Sequence, residues 1–376
     1  MKKDIKIIII FLFFMYLPLF PEEYVIRYLG ELEELRVNIQ NGNTYLGDTI
    51  VIAEDLDFEN RYFPGLGDDE NIFEGTIEGR GKTFFNYNSD YPFVYILGKN
   101  GSIKNLLIDN GKIEGDNSAA FVYLNKGTIS SCLNGAYVYG KKNAAGICVF
   151  NEGIITSCYN TQDIKSEADN LDPNIGGIVA FNDGGYVELS VNAGDLYGYC
   201  TVGGIAGYSE NGSINKCYNA GKIDGGVAAG IVGMAKKTKI MNTYNIGNIS
   251  LTIDDSGAGG IFGSAVNSDV SYSFNLGEIK HTVNSYAGSI GAYMENTTFD
   301  ECLHLSGTVG VGNEYVNPGD YSLGNIIGNA MLKGLSGVKA ISKKKFSNPD
   351  TFSKWGIGSI WEFNGKWYPS LVDVVN

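Results

Sequence analysis

Gly203-Gly204-Ile205-Ala206-Gly207, followed by Asn211-Gly212-Ser213-Ile214-Asn215-Lys216-Cys217-Tyr218-Asn219-Ala220-Gly221-Lys222-Ile223, is one copy of a unit that repeats through the chain. Its Gly-Gly-Ile corner returns as Ala145-Gly146-Ile147, Gly176-Gly177-Ile178, Ala229-Gly230-Ile231 and Gly259-Gly260-Ile261, and more weakly as Ala119-Ala120-Phe121 and Gly288-Ser289-Ile290. An Asn follows each corner by 13 or 14 positions, at Asn134, Asn160, Asn192, Asn219, Asn245 and Asn275, with His304 in the last place. Between corner and Asn sits an apolar residue: Ile129, Ile155, Val187, Ile214, Ile240, Val270, then Phe299. Past the Asn comes a Gly-x-[Ile/Leu] step, as in Gly194-Asp195-Leu196 and Gly247-Asn248-Ile249.

Each unit thus contains three apolar runs too short for helices and rich in Ile, Val, Tyr and Phe, which read as strands. One unit cannot bury its own apolar face, but stacked units can, about 4.8 Å apart through parallel strand pairing. The expected fold is all-β: a right-handed parallel β-helix of about eight coils, roughly 40 Å long at that spacing. Gly is expected to supply positive φ at the turns. The in-phase Asn residues are expected to occupy left-handed corners and to ladder their amides from coil to coil. Ligand-binding amides are the second reading of that column.

Strict alternation after Ile214 would bury Lys216, so a bend is expected there, turning Cys217 inward and Tyr218 outward. Cys132, Cys158, Cys217 and Cys302 share this phase and read as a buried stack of small side chains, not a bridge framework. No Cys-x-x-Cys occurs, and neither metal nor cofactor is expected. The same bend makes Tyr159, Tyr218, Tyr244 and Phe274 an outward aromatic column. Packing under a neighbouring segment is its first reading; a platform for sugar rings is the alternative.

The 376 residues include 51 Gly and 8 Pro and carry a net charge of −14. That charge, without a basic run, argues against nucleic acid. Lys2, Lys3 and Lys6 precede an uncharged stretch from Ile7 to Phe20, short for a membrane span and in the pattern of a secretory signal, with an uncleaved anchor as the second reading. The division expected is a signal over 1–23, a small α/β cap with opening strands over 24–92, the repeats over 93–312, and a connection with a C-terminal cap over 313–376. The first cap should hold a helix near Leu29–Val37 and a strand near Thr49–Ala53. Trp355, Trp361 and Trp367 cluster at the other end, as a closing strand pair or, alternatively, a carbohydrate platform.

Gly204-Ile205-Ala206-Gly207, Gly230-Ile231-Val232-Gly233 and Gly260-Ile261-Phe262-Gly263 resemble the GLUG motif of bacterial surface repeat proteins. The entry segment from Tyr45-Leu46-Gly47 to Ile77-Glu78-Gly79 and the closing Trp367-Tyr368-Pro369-Ser370-Leu371 are similar to the same proteins, so the likeness spans nearly the whole chain after the signal. It implies an exported or surface-attached, adhesin-like β-helix, of a kind sometimes placed ahead of an IgA-type metalloprotease. No His-Glu-x-x-His is present, so protease activity is not implied. Gly146-Ile147-Cys148-Val149 and Ser289-Ile290-Gly291-Ala292 are degenerate copies.

Signs of chemistry are sparse. Gly79-Arg80-Gly81-Lys82-Thr83 lacks the first glycine of a phosphate loop and leads into Phe84-Phe85, so it reads as a turn. His281 and His304 lack a nucleophile signature, and Asp68-Asp69-Glu70 lacks the spacing of a calcium loop. Asp163 and Asp195 occupy one position on adjacent coils and are the acid pair a glycosidase would use. The column continues as Lys222, Asn248 and Glu278, however, and the four Arg all precede the repeats. The expectation is a non-catalytic, exported surface protein that binds glycans or cell-surface or matrix proteins through one face. The alternatives are a polysaccharide lyase or glycoside hydrolase, and a purely structural envelope protein. An enzyme would gather acids in a cleft; a binder would present an aromatic or polar face.

Overall fold

The computed structural model describes residues 21–167, 172–282, 285–305, 337–372 and 374. The secretory-signal reading over Lys2–Phe20 falls outside them, as does most of the connection expected after residue 312. In the coil that starts at Ser213, the strands are Ser213–Asn215, Tyr218–Asn219, Ile223–Gly225, Val227–Ala229 and Val232–Lys236. Each pairs in parallel with its counterpart one coil on: Ile214 with Ile240, Asn219 with Asn245, Ile223 with Ile249, Ala228 with Ala258, Val232 with Phe262. The chain is therefore a parallel β-helix, and Ile205, Ile214, Cys217 and Ile223 all point into its core with no exposed surface.

The coils outnumber the expected eight. The column through Ile214 runs in register from Glu23–Ile26 through Thr49–Ile52 and Thr76–Phe85 to Thr298–Asp300, which makes about ten turns. The opening strands escaped the repeat pattern because their coils lack the Gly-Gly-Ile corner and the Asn. Phe58, Phe84, Tyr87 and Phe93 fill that end instead, packed edge-to-face at 5.1 to 6.3 Å. The helix lies at Leu29–Gln40 and buries Leu32, Leu35 and Ile39. Glu23 already pairs with Thr49, so the boundary drawn after residue 23 falls inside the first strand.

The bend after Ile214 is present: Lys216 has φ 51° and its Cys217 side chain is buried. The left-handed corners, however, belong neither to the ladder Asn residues nor to the Gly-Gly-Ile glycines. They form two columns, one on Gly184, Asn211, Lys237, Asn267 and Asn296, the other on Ser131, Ser157, Leu189, Lys216, Asn242, Tyr272 and Glu301, three positions before each ladder residue. Non-glycine residues tolerate this region only at a cost, here offset by the stack that holds every coil in the same bend. In the column before the ladder the next residue is always Cys, Ser or Thr, and this supplies a local reason. The Sγ of Cys217 donates to the Asn215 carbonyl at 3.2 Å, as Ser190 and Ser273 Oγ do to Glu188 and Ser271 at 2.8 Å. The column thus needs a small donor, and all six cysteines are free and buried.

The amide ladder forms as expected. Asn134, Asn160, Asn192, Asn219, Asn245 and Asn275 are buried, and each Nδ2 donates to the next Oδ1 at 2.7 or 2.8 Å. A second ladder runs from Asn125 through Asn151 to Asn182 at 2.7 Å and passes to Ser209. Burying an amide is costly unless it finds partners, and a neighbouring coil with the same residue supplies them.

Coil length varies most at one corner; elsewhere it changes less, as where Cys148 and Ile155 are 7 apart and the equivalent Val179 and Val187 are 8. From the third strand to the sheet that follows, Ile223 and Ala228 are 5 residues apart, Ile249 and Ala258 are 9, and Ile164 and Ile175 are 11, although all six hold equivalent rungs. From Val179 to Val187 and from Val232 to Ile240 the spacing is 8 in both coils.

Candidate functional site

The aromatic column expected to face outward does so, and is then covered. Tyr218, Tyr244 and Phe274 stack with centroids 4.7 and 5.1 Å apart. The C-terminal segment closes over them: Trp361 lies 5.9 Å from Tyr244 and 5.6 Å from Phe274, and Trp355 and Phe346 also touch Phe274. Trp361–Glu362 pairs antiparallel with Ser370–Leu371, the expected closing strand pair, but placed on the flank of the last coils. Tyr244, Phe274, Trp355 and Trp361 are buried and offer no ring face to a ligand, so the platform reading is withdrawn for them. Burial also holds the Tyr244 phenol well above its usual pKa. Tyr159 and Tyr218 are half-buried beside this cluster, and Trp367 lies under the Lys343 ammonium at 4.5 Å.

Asp163 and Asp195 do lie one coil apart, but as braces between coils. The Asp195 N–H donates to Asp163 Oδ1 at 3.3 Å, and the Lys222 N–H to Asp195 Oδ1 at 2.7 Å. Asn248 accepts the Glu278 N–H at the same rung. Asp195 also takes the Tyr197 hydroxyl at 2.9 Å, and burial followed by that carboxylate pushes the phenol up to about 12. His304 stands in register with Asn275, the last residue of the Asn ladder, and burial lowers its pKa. Asp68 Oδ1 accepts the Glu70 and Asn71 N–H groups in a turn. Gly79-Arg80-Gly81 is a bulge within a strand, with Arg80 at φ 51°, and Lys82 and Thr83 resume the pairing.

A different aromatic row is open. Five neighbouring strands of an eight-stranded sheet, Val94–Leu97, Val122–Asn125, Cys148–Asn151, Val179–Asp183 and Ala206–Glu210, carry Tyr95, Tyr123, Phe150, Phe181 and Tyr208 on their outer surface, all half-exposed. Adjacent centroids are 4.6, 5.3, 6.2 and 4.8 Å apart. Phe150, Phe181 and Tyr208 are in register with Leu124, whereas Tyr123 is the residue before it. The row therefore shifts by one residue between Tyr123 and Phe150. The signal was present in the sequence: Phe150, Phe181 and Tyr208 each stand three places after the corner Ile, and the two tyrosines two places after Phe93 and Phe121.

Two clefts adjoin Tyr123. One, of about 470 Å³, is lined by Asp90, Tyr91, Tyr95, Glu114, Asp116, Tyr123 and Lys141, among others. The other, of about 280 Å³, is lined by Tyr123, Leu124, Phe150, Asn151, Glu152, Phe181 and Asp183. The carboxylates of the first cleft are engaged: Tyr62 donates to Asp90 at 2.5 Å, Lys112 pairs with Glu114, and Lys142 lies 3.2 Å from Asp116. At the far end, the Lys236 ammonium 2.9 Å from Glu210 holds that carboxyl below its usual range. Among the described residues no group of His, Cys, Asp and Glu is arranged to hold a metal ion, and no helix is long and apolar enough to cross a membrane.

No family model and no curated protein matches the chain. Among solved structures, it is similar to a "putative immunoglobulin A1 protease" from Bacteroides ovatus, with a TM-score of 0.39 and 18% identity over 93% of this chain and 92% of that one. It is also similar to an IgA1 protease, with a TM-score of 0.36 and 15% identity over 85% of this chain. That match covers 21% of the IgA1 protease chain. Likeness at this level carries no function across, which leaves the site's own geometry.

Proposed function

We propose that the chain is a non-catalytic, exported, adhesin-like surface protein of the GLUG-repeat kind, which holds glycans on the outer row from Tyr95 to Tyr208. One observation carries the reading: of the two outer aromatic rows, one is sealed by the C-terminal segment while the other remains open beside two clefts. Aromatic rings next to carboxylates and amides are the usual means of gripping a sugar, since the rings take its C–H faces and the polar groups its hydroxyls. The test is binding of the purified protein to an array of glycans and matrix proteins. Binding that falls at least tenfold in Phe181→Ala and Tyr208→Ala supports the reading; binding to matrix proteins alone, or indifferent to both changes, removes it.

A second reading has its own observation. Asp90, Glu114 and Asp116 gather in one cleft, as a glycoside hydrolase would require. It predicts reducing-sugar release from a bound polysaccharide, abolished in Glu114→Gln or Asp116→Asn. Intact product after prolonged incubation rejects it.

A further inference from the structure

The step in the aromatic row is where its rings stop covering one another. Tyr95 and Tyr123 lie nearly parallel, at 10°, and so do Phe181 and Tyr208, at 19°. Rings stacked in this way turn their faces to each other and only their edges to solvent. Phe150 breaks the order: it is turned 74° from Tyr123 and 48° from Phe181. The cause is the register shift. Below the step the rings sit at the Tyr123 position and Leu124 fills the next one; above it Val149 replaces the ring, and Phe150 takes the place of Leu124. Phe150 has no ring in register beneath it, so it tips, and the gap becomes the cleft of about 280 Å³.

We infer that this step is a subsite for one uncharged pyranose ring of a glycan chain, an inference that rests on the glycan-binding reading above. The cleft is at the small end of ligand pockets, with room for a single ring. Its walls are the rings of Tyr123, Phe150 and Phe181, suited to the C–H face of a sugar. Its lip carries Glu152 and Asp183, which accept hydrogen bonds and, when ionised, donate none. Hydroxyl groups satisfy such acceptors; a uronate or sialate carboxylate would meet them as a like charge. Lys126 lies 3.7 Å from Glu152 and Lys236 pairs with Glu210, so Asp183 and the chain's net charge of −14 supply the repulsion. The occupant is thus a neutral hexose or N-acetylhexosamine unit, with the rest of its chain along the row.

The experiment is calorimetric titration of the protein with β-1,4-linked glucose and N-acetylglucosamine oligomers and with α-linked mannose oligomers, using oligogalacturonate as the acidic probe. At least one neutral series binds, and oligogalacturonate binds at least tenfold more weakly. Phe150→Ala weakens the neutral ligand at least tenfold, and so does Leu124→Trp, which fills the cleft while leaving every ring in place. Asp183→Asn narrows the gap between neutral and acidic probes. Circular dichroism melts of Leu124→Trp and Asp183→Asn separate these effects from loss of fold. If a neutral oligomer binds with Tyr208→Ala damaging and Leu124→Trp harmless, the row binds glycans but the step is not the subsite. Acidic probes binding as well as neutral ones overturn the charge argument and the assignment with it. If no oligomer of either kind binds, the glycan reading itself fails, and the subsite with it.

Discussion

The side chain of Asn219 lies against the α-carbon of Gly204: a Cβ placed there would stand 2.5 Å from Asn219 Cγ and 2.1 Å from the Gly230 carbonyl oxygen. The same contact joins Gly177 to Asn192, Gly230 to Asn245 and Gly260 to Asn275. The two most regular marks of the sequence are therefore the two sides of one contact. The second glycine of each corner is required because the ladder Asn and the next coil's backbone occupy the space a side chain would need. Gly204→Ala should destabilise by about 2–3 kcal/mol, near the upper end for overpacking because backbone is among the atoms displaced. Asn219→Ala should cost about 1–3 kcal/mol by taking one partner from Asn192 Nδ2 and one from Asn245 Oδ1. The double variant should fall short of their sum by about 0.5 kcal/mol or more, since the smaller residue relieves half of the clash. Urea melts of the four proteins decide it; strict additivity would mean that the contact carries no energy.

The cysteine column makes a chemical prediction. Burial pushes the Cys217 and Cys302 thiols up to about 12, and thiolate is the reactive form. A thiol reagent should label none of the six cysteines in the native protein and all of them in denaturant. Cys217→Ser should cost no more than about 1 kcal/mol, since Ser190 and Ser273 already make the equivalent bond. Cys217→Val, which cannot donate, should cost more. Equal melting curves for the two variants would remove the donor explanation.

Trp361 secures the C-terminal segment to the flank through Tyr244 and Phe274 and donates Nε1–H to Asn242 at 3.4 Å. Trp361→Ala should cost about 3 kcal/mol or more of cap stability. Loss of amide protection should be confined to residues 338–374 and the strands beneath them. Glycan binding at the row from Tyr95 to Tyr208 should persist. Hydrogen exchange measured beside ligand titration tests both, and loss of binding would place the ligand at the cap after all.

Acid should loosen the same segment first. Glu301 accepts Lys354 at 2.9 Å and Lys339 at 3.0 Å, and these two ammonium groups hold its carboxyl below the usual range. A depressed carboxyl pKa gives stability that is complete above the unfolded value and lost as pH falls through the folded one. His304 acts in the same sense at higher pH: burial lowers its pKa, so below about 6.5 the unfolded chain gains the proton first. Cap melting should therefore decline from about pH 6.5 downward, with a second fall below about pH 4.5 that is absent in Glu301→Gln. Each pair being partly solvated, Glu301→Gln should cost about 1 kcal/mol or less at neutral pH.

Legibility followed repetition. Asn219 and Cys217 could be placed from sequence because a buried polar side chain needs a partner and the adjacent coil repeats it. The bend at Lys216 followed from refusing to bury a lysine. The early coils were missed because Phe58, Phe84 and Phe93 fill their space without periodic marks. The left-handed corners were placed on the Gly-Gly-Ile glycines and the ladder Asn, where they do not fall, because the sequence shows where glycine stands and not whether φ or close approach demands it. The cap could not be placed, since Trp361 reaches Asn242 across 119 residues and nothing local records that distance. The open row was overlooked because its rings change phase at Phe150, and a column that shifts by one residue does not look periodic.

The corner where coil length varies most leaves the other turns to keep nearly even time. Because Ile164 reaches Ile175 by 11 residues where Ile223 reaches Ala228 by 5, with the rungs on either side still in register, that edge works as a hem. Cloth can be let out there without altering the garment. New sequence can accumulate along it, coil after coil, while the amide ladders are inherited unchanged.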